Sequence, residues 1–157
     1  MRVLGIDPGL GRVGYGIVER RGSALYAVEF GLIETPPVET GQRLVQIHSR
    51  ILELLEAHQP QAMAIERLHF ARNQTTAMDV ARASGVVLLC AAHHGLGVAE
   101  FSPAQVKLSV VGQGNADKKQ VQFMVRQILK LQSTPKPDDV ADALAVAITH
   151  CLAFSVR

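Results

Sequence analysis

The sequence predicts an α/β domain, a mixed five-stranded sheet with helices on both faces. Three observations lead there. Three strand-like segments joined by short turns open the chain, strands alternate with helical runs through its middle, and its last third is helical. Short turns make neighbouring strands antiparallel and helical crossovers make them parallel, so one sheet must hold both. At 157 residues the chain has the length of one domain, 1–157.

Met1 to Asp7 reads as a short buried strand, closed by the turn Asp7-Pro8-Gly9. Gly14 to Val18 and Ala24 to Ile33 are two more strands, parted by Arg21-Gly22-Ser23. Thr35-Pro36-Pro37 breaks the pattern. From Gln42 to Ala57 the apolar residues Leu44, Ile47, Ile51, Leu54 and Leu55 recur at helical spacing, and Pro60 ends the run. Ala62 to Glu66 is the fourth strand, followed by an Ala-rich helix from about Gln74 to His94 that Gly95 stops. Val98 to Phe101 is the fifth strand, and Pro103 opens a short helix through Val110. The next helix has Val121, Met124, Val125, Ile128 and Leu129 on one face and Lys119, Gln122, Arg126 and Lys130 on the other. The final helix begins after Pro135-Lys136-Pro137 and runs to about Phe154.

Composition narrows the function classes. Hydrophobic residues make up 48% and charged residues 19%, which excludes disorder and allows a sizeable core. The longest uninterrupted apolar run, Gly85 to Ala92, is far short of the ~18 residues of a membrane span. A charge arrives too early in Met1-Arg2-Val3-Leu4-Gly5-Ile6-Asp7 for a secretory signal. Cys90 and Cys151 lie in apolar segments without metal-ligand spacing and read as buried thiols in a reducing compartment. The expectation is a cytoplasmic protein with no membrane partner.

Four carboxylates have a reason to converge. Asp7 ends the first strand and Glu66 the fourth, and parallel neighbours would present both at the carboxyl edge, where sheets of this kind bind ligands. The last helix offers Asp138, Asp139 and Asp142, with Asp139 and Asp142 an i,i+3 pair and Asp138 and Asp142 an i,i+4 pair. Each acid has an ordinary explanation alone: a turn, a strand end, or a helix start that favours negative charge. Together they repel, and a hard divalent cation offsets that repulsion. Mg²⁺ takes oxygen ligands from a few carboxylates, water and phosphate. Two such ions ~3.5–4 Å apart stabilise the attacking and leaving oxygens of a phosphodiester displacement.

The motifs resemble a known family. Gly5-Ile6-Asp7-Pro8-Gly9 with Gly14-Tyr15-Gly16, Ala64-Ile65-Glu66, Gly112-Gln113-Gly114-Asn115-Ala116-Asp117-Lys118-Lys119-Gln120-Val121 and Asp139-Val140-Ala141-Asp142-Ala143-Leu144-Ala145 are similar, in order and spacing, to the RuvC crossover junction endodeoxyribonucleases. The resemblance covers nearly the whole chain. It implies a ribonuclease H-like fold and a homodimer that resolves Holliday junctions, nicking two opposing strands of a four-way DNA junction to leave 5′-phosphate and 3′-hydroxyl ends. It implies Asp7, Glu66, Asp139 and Asp142 as metal-binding acids, with two Mg²⁺ per site and Mn²⁺ able to substitute. It selects Asp139 over Asp138. Lys107 and Lys118 fall where the family has lysines contacting DNA and the active-site phosphate. Family partners are a branch-migration motor and its junction-binding subunit. The family's aromatic three residues after the second acid is here His69, with Phe70 beside it, and either ring can stack on a base.

The net charge of only +2 looks low for a DNA-binding protein until the acids are sorted. Setting four candidate ligands aside leaves a clear surplus among the 16 basic residues, suited to salt-sensitive phosphate binding. Arg67, Arg72, Arg82, Lys107, Lys118 and Lys119 flank the proposed sites, and several should line one groove. The stretch Ala77, Ala81, Ser84, Gly85, Leu88 permits close helix approach, in a dimer or onto the chain's own sheet. Other readings are a ribonuclease H-like nuclease acting on ribosomal RNA precursors and a junction-binding protein without catalysis. A third takes Asp7-Pro8-Gly9-Leu10-Gly11 as the phosphate loop of an actin-like ATPase, which would need a duplicated domain that a chain of this length lacks.

Overall fold

The computed structural model describes residues 1–67 and 74–154. In chain order its elements are β1 (Arg2–Asp7), β2 (Arg12–Arg21), β3 (Ala24–Glu34), α1 (Thr40–His58), β4 (Ala62–Glu66), α2 (Gln74–His93), β5 (Gly97–Phe101), α3 (Pro103–Val111), α4 (Lys118–Ile128) and α5 (Asp138–Ala153). They form one sheet of order β3-β2-β1-β4-β5. The β1–β2 and β2–β3 pairs are antiparallel, and β1–β4 and β4–β5 are parallel. Mixed sheet and element order both match the expectation.

The differences are local. Strands β2 and β3 run beyond the apolar stretches that suggest them, because Gly22 (φ 61°) makes a tight turn and pairs Arg21 with Ala24. The polar residues Glu19 to Arg21 thus join the ladder although they break the hydrophobic alternation. A register shift at Ile17/Val18 bulges the pair further along.

Strand alternation splits the core in two. Leu4, Ile6, Met63 and Ile65 face one side, packed with Ile47, Ile51, Leu54 and Leu55 of α1 and Ala83, Val87 and Cys90 of α2. Val3, Ala64 and Val18 face the other, against α5. Helix α5 is buried on almost every side, from Val140 through Cys151 with few gaps, so its run of alanines is a packing feature. The long helix α2 corrects one expectation. It has 20 residues, and an 18-residue window within it has a mean hydropathy of 1.3, enough by length and composition alone to cross a membrane, because scattered polar residues dilute the apolar character without abolishing it. Ala77, Ala83, Val87, Cys90 and Ala91 are nevertheless buried within the fold, and Asp79 pairs with Arg82 at 3.3 Å.

Candidate active site

Close packing brings the C-terminal helix onto the sheet. A Cβ at Gly5 would meet the Ala143 carbonyl and Ala147, one at Gly14 the Asp139 carbonyl, and one at Gly16 the Leu144 side chain. These glycines of β1 and β2 are therefore the seat of α5. Asp7 stands two residues after Gly5 and Glu66 two after Ala64, so both face the α5 side. The register pairs Ile6 with Ile65, which sets the two acids level at the carboxyl ends of β1 and β4. Asp139 and Asp142 arrive from the first turns of α5.

Electrostatics then decides the character of the site. Burial first, and then the charges of Asp142, Glu66 and Asp139, push Asp7 up to about 8. Burial also raises Asp142, against the opposing pull of the Lys118 ammonium. Asp139 Oδ2 is buried without a partner in hydrogen-bonding geometry; Arg12 Nε, 3.2 Å away, is its neighbouring charge but lies off that direction. Among the described residues no three Asp, Glu, His or Cys side chains close around a common point. The acids make an open rim whose orphaned oxygen and mutual repulsion fit a divalent cation completed by water and phosphate oxygens.

Beside the rim lies a cleft of about 290 Å³, lined by Glu66, Asp142, Lys107, Lys118 and the apolar Val106 and Val121. Two capping boxes place its lysines. Ser102 with Gln105 starts α3, and Asp117 with Gln120 starts α4, making Lys118 the first helical residue. Lys118 Nζ lies 3.5 Å from Asp142 Oδ2 and 3.3 Å from Asp138 Oδ2. Partial burial works against the ammonium, but these two carboxylates outweigh it and raise Lys118. Asp138 also accepts a hydrogen bond from Gln122 Nε2 at 2.9 Å.

The basic residues only partly cluster. Lys107 and Lys118 share the cleft, whereas Lys119 lines a neighbouring groove with Phe123 and Met124. One position along a helix turns a side chain by about 100°, which parts Lys119 from Lys118. Arg67 pairs with Glu100 at 3.9 Å and Arg82 with Asp79. His69, Phe70 and Arg72 lie outside the described residues. Sequence reasoning missed Arg12, which no motif marks, and Gln122, read as a solvent-facing position. Ser102-x-x-Gln105 and Asp117-x-x-Gln120 were visible signals of where the two lysine-bearing helices begin.

A ribonuclease H-like sheet with an acidic rim at its carboxyl edge and lysines in the adjoining cleft defines the class: a nuclease of that fold. The family model described as "Crossover junction endodeoxyribonuclease RuvC" matches residues 3–150. Crossover junction endodeoxyribonucleases RuvC of Alkaliphilus metalliredigens and Moorella thermoacetica are 51% and 52% identical to this chain over 151 residues. Each alignment covers 96% of this chain, with 92% and 90% of the respective relative. The solved structure of Thermus thermophilus RuvC in complex with Holliday junction substrate superposes with a TM-score of 0.93 at 39% identity, over 98% of this chain and 94% of that one. The yeast mitochondrial Holliday junction resolvase Ydc2, at 15% identity and a TM-score of 0.64, shares the fold. The chain belongs to the RuvC family of crossover junction endodeoxyribonucleases.

Proposed function

We propose that this chain resolves Holliday junctions in recombination and DNA repair, nicking two opposing strands of a four-way DNA junction symmetrically and leaving 5′-phosphate and 3′-hydroxyl ends. One observation carries the reading: Asp7, at the end of the central strand, is held high by burial and by three other carboxylates. Such an arrangement is costly for the apoprotein and suited to cations that bridge protein and phosphate. The relatives' names support four-way DNA rather than ribosomal RNA precursors as the substrate.

Asp7, Glu66, Asp139 and Asp142 are the proposed metal-binding and catalytic acids, holding the ions rather than attacking phosphorus themselves. When bound, two Mg²⁺ per site, or Mn²⁺ in their place, ease ionisation of the attacking water and stabilise the departing oxygen. Lys118 presents its ammonium at the cleft mouth to the charge that builds on the scissile phosphate. Lys107 meets the backbone from α3, and Lys119 meets it from the next groove. His69 or Phe70 stacks at the junction and Arg72 contacts DNA, three roles resting on the family motif alone.

Two matched cuts call for two matched sites, which a twofold homodimer provides. The outer face of α2 suits the contact: Met78 and Leu89 are exposed and apolar, with Ala81 and Gly85 between them. The branch-migration motor and its junction-binding subunit complete the partners, acting in the cytoplasm. Incubating the purified protein with a synthetic mobile four-way junction tests the whole reading. Paired nicks that require Mg²⁺ are expected, and preferential cutting of a ribosomal RNA precursor would overturn it.

A further inference from the structure

Lys118 lies between two carboxylates one helical turn apart on α5. The inner one, Asp142, belongs to the acidic rim and its side chain is 28% exposed. The outer one, Asp138, is 57% exposed and stands outside the four proposed ligands. Asp138 is clipped to α4 twice, by Lys118 at one oxygen and by Gln122 Nε2 at the other. Lys118 and Gln122 are themselves one turn apart on α4, so the two helices meet through a four-residue ladder: Lys118 and Gln122 opposite Asp138 and Asp142. Ion pairs this exposed add little to stability. The value of this ladder lies in where it keeps the ammonium.

We infer that Asp138 is a positioning residue for Lys118, the outer of two resting places that holds the ammonium at the cleft mouth when a divalent cation claims Asp142. This rests on the proposed roles of Asp142 and Lys118. In the metal-free site Lys118 is the counter-charge of Asp142. An incoming cation repels it, and a lysine with no second partner would swing into solvent. Asp138, fixed in turn by Gln122, keeps it within reach of an arriving phosphate, with its charge already oriented.

The test is a double-mutant cycle of Asp138→Ala with Lys118→Ala, read in two ways. Without DNA, Mn²⁺ binding is measured by calorimetry. Asp138→Ala should weaken it severalfold, because Lys118 then stays on Asp142, and this effect should vanish when Lys118 is also alanine. With DNA and saturating Mg²⁺, Asp138→Ala should slow junction cutting about tenfold, the cost of losing an outer positioning partner. It should add nothing to Lys118→Ala, and Asp138→Glu should recover much of the rate. Thermal unfolding of the exposed-site variants should match that of the parent. A Mn²⁺ deficit that persists in the Lys118→Ala background would make Asp138 a direct attractor of the metal and overturn the inference. Normal cutting by Asp138→Ala beside slow cutting by Lys118→Ala would also overturn it, alone. Wild-type protein that leaves the junction intact would instead overturn the functional reading beneath it.

Discussion

The backbone of Gly14 on β2 lies so close against the carbonyl of Asp139 that no side chain fits between them. The residue that admits the helix and the residue that helps form the acidic rim are thus one contact. Packing and chemistry meet there, and the absence of a methyl group sets where a carboxylate stands.

Gly14→Ala should therefore damage both. Overpacking at a rigid backbone costs about 1–3 kcal/mol, and the displaced first turn of α5 should reduce cutting at least about tenfold. Gly22→Ala is the control: it strains a positive φ with nothing nearby, so it should lower stability by about 1 kcal/mol and leave cutting unchanged. Thermal melts with junction-cleavage rates separate the two. Equal activities in both variants would show that the seat of α5 does not govern the site.

Asp7→Asn should retain junction binding and lose cutting by about 100-fold or more. It should also stabilise the metal-free protein. The folded state holds the Asp7 proton up to about 8, whereas the unfolded chain releases it near 3.8. Native protein then binds more protons across that window, so stability is greatest on its acid side and falls as pH rises through it. In EDTA the melting temperature should decline from pH 5 to pH 8, and Asp7→Asn should flatten that slope. A steeper decline in the variant would contradict the repulsion.

Lys118→Ala should slow cutting by about 100-fold, the scale of losing one oriented donor to a charged transition state. Lys118→Arg should be milder, since the charge survives while its shape changes. Single-turnover rates at saturating protein isolate this step from binding. Identical, wild-type rates in both variants would remove the ammonium from the chemistry.

Leu89→Arg places a charge on the exposed face of α2, where Leu89 is 48% exposed in one chain. The variant should fold normally, sediment as a monomer and lose the pairing of its two nicks. A Leu89→Arg protein that remains a dimer would move the twofold contact elsewhere.

The fold was legible because its signals are local. Turn residues bound the first strands, helical periodicity marks α1 and α4, and the alternation of strands and helices forces the mixed sheet. Asp7 and Glu66 fall at one edge on sequence grounds alone, since parallel neighbours end together. Periodicity could not separate Asp138 from Asp139, which adjoin at the same helix start. The structure divides them by reach: Asp139 toward Arg12 and Asp7, Asp138 toward Lys118 and Gln122. Arg12 was invisible because its partner is far along the chain. The glycines were visible, yet what each must admit depends on a helix more than 120 residues downstream.

Asp7 belongs to β1 and Asp142 to α5, so synthesis delivers them far apart in time. Until α5 emerges and settles onto its glycine seat, the nascent polypeptide carries two of its acids with nothing to complete them. A strand-cutting enzyme assembled from elements so distant along the chain has no competent half. Fragments that stop short of α5 would pose no hazard to the chromosome, and the docking of that helix is itself the safeguard.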